Sequence, residues 1–366
     1  MRAREWHCGP FDFDLATPLV MGICNVTPDS FSDGGMHATA SEALEHAKKL
    51  IAAGADIIDV GGESTRPGAE EVPPEVEIAR VLPVVRELVS HGVAVSVDTR
   101  HASVAEVCVD AGACIVNDVS GFRSADMREV AARGDAGLVV MHMRGTPKTM
   151  QDAPAYDDVV HEVEQEMMRM VTRLTTEGVE PGRICLDVGI GFGKNVMHNL
   201  ALVQATAHFA ELGFPLMAAV SRKSFIGAMS AESIPAMRDR ASALCAAFMV
   251  DQGARIVRVH DVATTREMLR DSHRVVIGLG SNMGNSCEHI DDALASMRLD
   301  PDIWVGAVSE YVTSAPAYLE AQDPFVNAVA VIQTTLEPSE LLRVLQGLES
   351  EHGRIRGIEN GPRPLD

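Results

Sequence analysis

Eight short runs of apolar and β-branched residues recur through the first three quarters of the sequence, each followed by a stretch with helical spacing. The runs cover 18–24, 55–60, 93–97, 114–117, 137–142, 184–188, 215–220 and 255–259, with amphipathic segments such as 40–53, 75–90 and 156–176 between them. Near-continuous apolar strands are buried on both faces, and alternation with helices supplies that cover when the strands run parallel. Eight such units within about 250 residues predict an α/β fold, a closed (β/α)8 TIM barrel. The competing arrangement is an open, doubly wound sheet. Such a sheet carries a Gly-x-Gly-x-x-Gly turn after its first strand and gathers its site at one switch point. No such turn follows 18–24, and polar residues of interest are spread over all eight units.

The pattern changes after 268–274. A strand at 275–280 is followed by a helix at 287–297, strands at 303–312 and 327–334, and a helix at 338–352. A β-α-β-β-α order opens a ferredoxin-like α+β domain and expects one further strand. The sequence therefore divides into a barrel, residues 1–272, and a truncated α+β domain, residues 273–366. No internal repeat or low-complexity linker separates them, so the two are expected to abut.

A net charge of −21 argues against a nucleic-acid partner, which needs a basic face to neutralise phosphates. It leaves room for a small anion, because a local basic pocket overrides the mean field. The sequence holds only five lysines, at 48, 49, 148, 194 and 223, so a lysine at a strand end stands out. The seven cysteines are scattered with no Cys-x-x-Cys pair, the pattern of a reducing, cytoplasmic setting. The segment 1–7 has basic residues but no apolar stretch behind them, so no signal peptide is expected. No run of about 18 apolar residues offers a membrane span.

Barrel enzymes place their chemistry where strands end, because the loops there share one rim. The first run leads into Asn25-Val26-Thr27-Pro28-Asp29-Ser30-Phe31-Ser32-Asp33-Gly34-Gly35, and the second into Gly61-Gly62-Glu63-Ser64-Thr65-Arg66-Pro67-Gly68. The next four deliver Asp98, then Asn117 and Asp118, then His142, then Asp187 before Gly189-Ile190-Gly191-Phe192-Gly193-Lys194. The last two deliver Ser221-Arg222-Lys223-Ser224, then Arg258 and His260-Asp261. One polar residue at a strand end is usually a cap or a turn; eight ends in succession carry more information. Arg66, Arg258, His260 and Ser221 are donors suited to phosphate oxygens. Asn25 and Asp33 are oxygen ligands suited to Mg²⁺, which keeps few protein ligands and shares substrate phosphate. Asp98, Asn117 and Asp187 suit the donor edge of an amino-heterocycle.

These motifs, with Ser96-Val97-Asp98-Thr99 and Arg258-Val259-His260-Asp261, resemble the dihydropteroate synthases from about residue 19 to 268, in order. The resemblance implies a transferase of folate biosynthesis that condenses 6-hydroxymethyl-7,8-dihydropterin diphosphate with p-aminobenzoate. It implies that diphosphate leaves first, assisted by Mg²⁺, and that the arylamine captures the resulting cation. By likeness, Asp98, Asn117, Asp187 and Lys223 hold the pterin, with Met141 and Phe192 in apolar contact. Asn25, Arg258 and His260 take the diphosphate, Asn25 and Asp33 lie nearest the metal, and Thr65, Arg66, Pro67, Ser221 and Phe31 shape the aminobenzoate site. Lys223, Arg258, His260 and Asp98 are the expected catalytic set, and by analogy the assembly is a homodimer. The family's usual Asp-Pro-Gly reads Asp187-Val188-Gly189 here, which predicts a looser turn. A non-catalytic pterin-binding homologue and a pterin-dependent methyltransferase are the other readings; the latter needs no diphosphate cluster.

The tail resembles the beginning of the 6-hydroxymethyl-dihydropterin pyrophosphokinases. The matching pieces are Gly278-Leu279-Gly280-Ser281-Asn282-Met283-Gly284, Thr313-Ser314-Ala315-Pro316, Phe325-Val326-Asn327-Ala328, Gly353-Arg354-Ile355-Arg356 and Gly361-Pro362-Arg363-Pro364-Leu365-Asp366. By that likeness Arg354, Arg356 and Arg363 meet ATP phosphates, Asn327 meets the pterin, and Asp366 is a Mg²⁺ ligand. The second metal-binding aspartate of that family has no match, so the tail as given is expected to lack kinase activity.

Overall fold

The computed structural model describes residues 2–27, 35–64, 71–146, 148–317, 321–354 and 361–366. Strands β1 (Glu5–Cys8) and β2 (Phe11–Asp14) form an antiparallel hairpin that the sequence reading did not anticipate. Eight barrel strands follow: β3 (Leu19–Asn25), β4 (Ile57–Gly61), β5 (Ala94–Asp98), β6 (Ile115–Asp118), β7 (Gly137–Met141), β8 (Ile184–Asp187), β9 (Met217–Ala218) and β10 (Ile256–Val259). The helices between and after them are α1 (Gly35–Ala52), α2 (Pro74–Ser90), α3 (Ala102–Asp110), α4 (Ala125–Arg133), α5 (Val159–Thr176), α6 (Val196–Gln204), α7 (Thr206–Ala210), α8 (Ser224–Ser230), α9 (Asp239–Gln252) and α10 (Val262–Asp271). The sheet runs β8-β7-β6-β5-β4-β3-β10-β9. It closes through a parallel bridge between Leu186 and Leu216 and a hydrogen bond from Leu186 N to Pro215 O (2.8 Å).

Successive side chains of a strand point to opposite faces, so every second residue enters the barrel. At the lower level Met21, Ile57, Ala94, Ile115, Cys185, Met217 and Ile256 form one buried cluster with Trp6, Cys8 and Leu15. The β1–β2 hairpin thus plugs the base, anchored by a hydrogen bond from Trp6 Nε1 to Arg183 O (2.9 Å). Two residues farther along, the inward positions turn polar: Asp59, Ser96, Asn117, Asp187 and Arg258. The outward residues pack under the helices in the largest core cluster, with Val20, Ile58, Val95, Val116, Leu138, Leu186 and Val257 among them.

After α10 a single residue leads into the second sheet. Its elements are β11 (His273–Ser281), α11 (Ser286–Leu299), β12 (Ile303–Val308), β13 (Val312–Ser314), β14 (Phe325–Thr334) and α12 (Pro338–Glu351). The expected single strand at 303–312 is two pieces. A register shift occurs between Val305 and Ala307, and Ser309 then bonds Val329 through both its own N–H and its Oγ (2.9 Å each), interrupting the ladder. The antiparallel order β11-β14-β12 is that of a ferredoxin-like sheet. Along the other edge of β11, Gly280 and Asp366 exchange backbone hydrogen bonds of 2.9 and 2.8 Å.

Candidate active site

In-register pairing sets Asn25, Gly61, Asp98 and Asn117 side by side at the ends of β3 to β6. A Cβ on Gly61 would lie 3.4 Å from Asp98 Cβ and 3.6 Å from Asn25 Oδ1, so the glycine lets those two side chains flank one spot. Arg258 crosses the barrel beneath them. Its Nε donates to Asp59 Oδ2 and its Nη2 to Asp98 Oδ2, both at 2.6 Å, while Asn117 Nδ2 donates to Asp59 Oδ2 at 3.2 Å. Burial and the neighbouring Asp59 and Glu77 carboxylates push Asp98 up to about 7 against the pull of Arg258. The guanidinium between two carboxylates is held well above its usual range although burial opposes its charge. Asp98 Oδ1 is buried with no hydrogen-bond partner among the described residues.

The opposite side of the rim comes from the last three units. Asp187 Oδ1 accepts from Gly189 N (2.8 Å) and closes its turn without the usual proline; Val188 is buried. Gly189 has φ +67°, and a Cβ there would sit 1.8 Å from His142 O, so only glycine fits. Lys223 Nζ donates to Ile190 O and lies 4.9 Å from the Phe192 ring centroid. Burial lowers this ammonium to about 8, although Asp187 favours its charge. Phe192 packs against the buried Val119, Met141, Met143 and Met150, so the two residues expected to make apolar contact share one cluster. Ser221 Oγ accepts from His260 N (3.1 Å) and lies 2.9 Å from His260 Nδ1.

Other polar strand-end residues hold loops. Asp118 accepts from Ser120 N, Ser120 Oγ and Phe122 N at 2.7–2.8 Å. Lys194, buried, donates to Gly189 O and Phe192 O (3.0 Å each) and to His142 Nδ1 (2.9 Å). Burial brings Lys194 down to about 7 and His142 to about 4. Arg222 has φ +59°, a left-handed backbone disfavoured for a residue with a Cβ. It is secured by Asp239, which takes its Nε (2.6 Å) and Nη2 (2.7 Å), and by Ser242 Oγ on its backbone N–H (3.0 Å).

Thr65, Arg66, Pro67, Phe31, Asp33 and Arg356 lie outside the described residues. The structure brings Asn25, Asp98, Asn117 and Arg258 to one side of the rim and Met141, Asp187, Phe192 and Lys223 to another. Asn117 and Arg258, assigned to substrate, also spend hydrogen bonds on Asp59. Asp59 itself went unnoticed in the sequence, although a lone aspartate inside Ile57-Ile58-Asp59-Val60 was a visible signal. So did the network behind the second loop: Glu63 takes Arg100 Nε and Nη2 (3.0 Å each), and Glu77 lies 2.8 Å from His101 Nδ1.

In the tail, Gly280, Ser314, Phe325, Asn327, Arg363 and Asp366 line one cavity of about 250 Å³. Asn327 Nδ2 donates to Ser314 Oγ (2.9 Å), and Asp366 pairs with both Arg354 and Arg363. The expected tail residues within the described set therefore converge, with Asp366 held by arginines.

The sequence model of the pterin binding enzymes matches residues 21–260, and that of 7,8-dihydro-6-hydroxymethylpterin-pyrophosphokinase matches 276–366. The dihydropteroate synthase of Neisseria meningitidis serogroup C is 44% identical over 274 residues, covering 74% of this chain and 97% of that protein. The Xanthomonas albilineans dihydropteroate synthase, solved with 4-aminobenzoic acid, superposes with a TM-score of 0.69 at 40% identity, covering 73% of this chain and 96% of that one. The Burkholderia cenocepacia enzyme, solved with 7,8-dihydropteroate, gives 0.65 at 41% identity, covering 73% and 94%.

Proposed function

The chain belongs to the pterin-binding enzymes, among the dihydropteroate synthases, and from that premise we propose how its rim divides the work of condensing 6-hydroxymethyl-7,8-dihydropterin diphosphate with p-aminobenzoate. The reaction breaks the bond between the pterin methylene carbon and the diphosphate oxygen, and forms a carbon–nitrogen bond to the arylamine, which loses a proton. The observation that carries the reading is the pairing of Arg258 with Asp59 and Asp98 beneath the strand-end row that holds Asn25, Asp98 and Asn117.

Asp98 and Asp187 hold the pterin ring by its donor edge and stabilise positive charge developing on it. Met141 and Phe192 give the ring an apolar wall, and Lys223 holds its acceptor edge. Asn25, His260 and Arg258 receive the leaving diphosphate, preorganised donors being worth most where charge develops. Thr65, Arg66, Pro67 and Ser221 shape the arylamine end. Asn25 and Asp98, whose buried Oδ1 has no partner among the described residues, flank Gly61 in the strand-end row, an oxygen chemistry that suits a hard cation, and Asn25 and Asp33 would hold Mg²⁺. When bound, Mg²⁺ would offset diphosphate charge. In the tail, Asn327 and Phe325 would meet a pterin, with Arg354, Arg356 and Arg363 toward ATP phosphates and Asp366 toward Mg²⁺. AMP formation from ATP and hydroxymethyl-dihydropterin tests whether transfer follows. We place the protein in the cytoplasm as a homodimer.

The test incubates the protein with the pterin diphosphate and labelled p-aminobenzoate, with and without Mg²⁺. Labelled dihydropteroate, suppressed competitively by a sulfonamide, is the expected result; no product under any condition refutes the assignment.

A further inference from the structure

The tail is packed into the barrel rather than laid against it. Trp304 of β12 is buried within the barrel's own core cluster and stands edge-on to Phe225, ring centroids 6.3 Å apart. Phe225 lies in α8, two residues after Lys223. At Gly306 a Cβ would fall 2.3 Å from the ring of Phe248, so the glycine lets α9 lie directly on the β12 backbone. Gln204 Nε2 also donates to Gly306 O (3.0 Å).

The first turn of α9 joins this interface to the rim. Asp239 and Ser242, three apart on one helix face, hold Arg222 in its left-handed conformation. Just before them, Arg238 Nη1 donates to Arg222 O (3.1 Å). Arg240, about 100° round the helix from Asp239, faces the tail instead. Its Nε donates to Asp302 Oδ1 (2.8 Å) and its Nη2 reaches Asp302 and Thr335 Oγ1 (3.2 Å). Asp302 is fixed in turn: its N–H meets Asp300 Oδ1 (2.9 Å) and its carbonyl accepts from Thr334 Oγ1 (2.7 Å). A continuous chain of contacts thus runs from the second sheet to the loop bearing Ser221 and Lys223. That loop follows β9, which is only two residues long.

We propose that the tail serves the barrel as a brace, with Asp302 and Trp304 acting as positioning residues that fix the start of α9 and thereby the Ser221–Lys223 loop. The proposal rests on the role assigned to Lys223 above. A reactive loop displaced by a fraction of an ångström loses its substrate geometry while the barrel stays folded, so the function of the second sheet is separable from any chemistry of its own.

The test uses the full chain with Asp302→Ala, Arg240→Ala, the double variant and Asp302→Glu. Dihydropteroate formation is followed well below each variant's melting midpoint. Each alanine variant is expected to lower kcat/KM about tenfold, mainly through the KM for the pterin diphosphate. The double variant should be no worse than either single, as coupled residues require. Asp302→Glu, which keeps a carboxylate for Arg240, should recover most of the loss. Because Asp302 is only partly buried, this series does not depend on a Trp304 variant that folds. Unchanged KM and kcat in all four, with a lowered melting point, would reduce the tail to a stabiliser and overturn the brace. A wild-type protein that forms no dihydropteroate sinks the brace together with the reading of the barrel.

Discussion

Replacing Asp59 by asparagine tests the internal charge arrangement of the barrel. Asp59 is fully buried, takes Arg258 Nε at 2.6 Å and receives Asn117 Nδ2 at 3.2 Å. Breaking one side of a buried ion pair costs about 3–5 kcal/mol when the other charge is left alone. Here Asp98 stays 2.6 Å from Arg258 Nη2, and the amide keeps one acceptor oxygen, so a loss of about 2–3 kcal/mol is expected. At roughly 2–4 °C per kcal/mol for a large domain, the melting point should fall by about 5–10 °C. A second effect has a definite sign. Asp98 is raised from 3.8 to about 7 by burial and by like charges that include Asp59, so removing Asp59 should lower it. A raised carboxyl contributes stability that is complete below its unfolded value and is lost as pH rises through its folded value. The variant should therefore narrow the Asp98 contribution to the pH dependence between about 4 and 7, and move the acid limb of the pH–rate profile to lower pH. Thermal unfolding at pH 5 and pH 8, with turnover across the same range, measures both. An unmoved melting point and an unmoved acid limb would refute the charge arrangement.

Lys223→Ala should cut turnover sharply at an unchanged melting point and remove a basic limb near 8, where Lys223 loses its charge; retained wild-type turnover would count against its role. Arg258→Ala should lose both turnover and stability, because Asp59 and Asp98 are left facing each other; equilibrium unfolding beside kinetics separates the two effects. Gly189→Ala combines a left-handed φ with a Cβ 1.8 Å from His142 O, and should cost roughly 2–4 kcal/mol in urea unfolding. Trp6→Ala should cost about 3–5 kcal/mol through the emptied base of the barrel, while leaving both KM values as they were.

The barrel was legible because burial on both faces leaves a continuous apolar run, and the strand-end polar residues because they interrupt such runs at their last position. Asp59 interrupts one in the middle, where its reason is a partner 199 positions away that no local pattern reveals. The β1–β2 hairpin was missed because Glu5–Cys8 and Phe11–Asp14 are too short to show a period, and their burial is decided by the barrel base. The break between β12 and β13 depends on the Ser309 side chain substituting for a ladder bond. Arg222 stands in a polar strand-end motif that shows no partner locally; its engagement with Asp239 depends on how α9 is oriented. The role of Gly306 likewise follows from the arrival of Phe248, 58 residues earlier in sequence.

The closure of the barrel has a kinetic consequence. Seven of its joints are ladders between named strands, but the eighth, between β8 and β9, is a single bridge at Leu186 and Leu216. A closed cylinder under thermal agitation parts where its wall is stitched most sparsely. The amides of 215–220 should therefore exchange with solvent through openings too small to unfold the rest, and the protein should part along this joint first. That joint runs directly under Asp187 on one side and Ser221 on the other. The wall beneath these two loops should therefore breathe along one seam while the rest of the barrel stays closed.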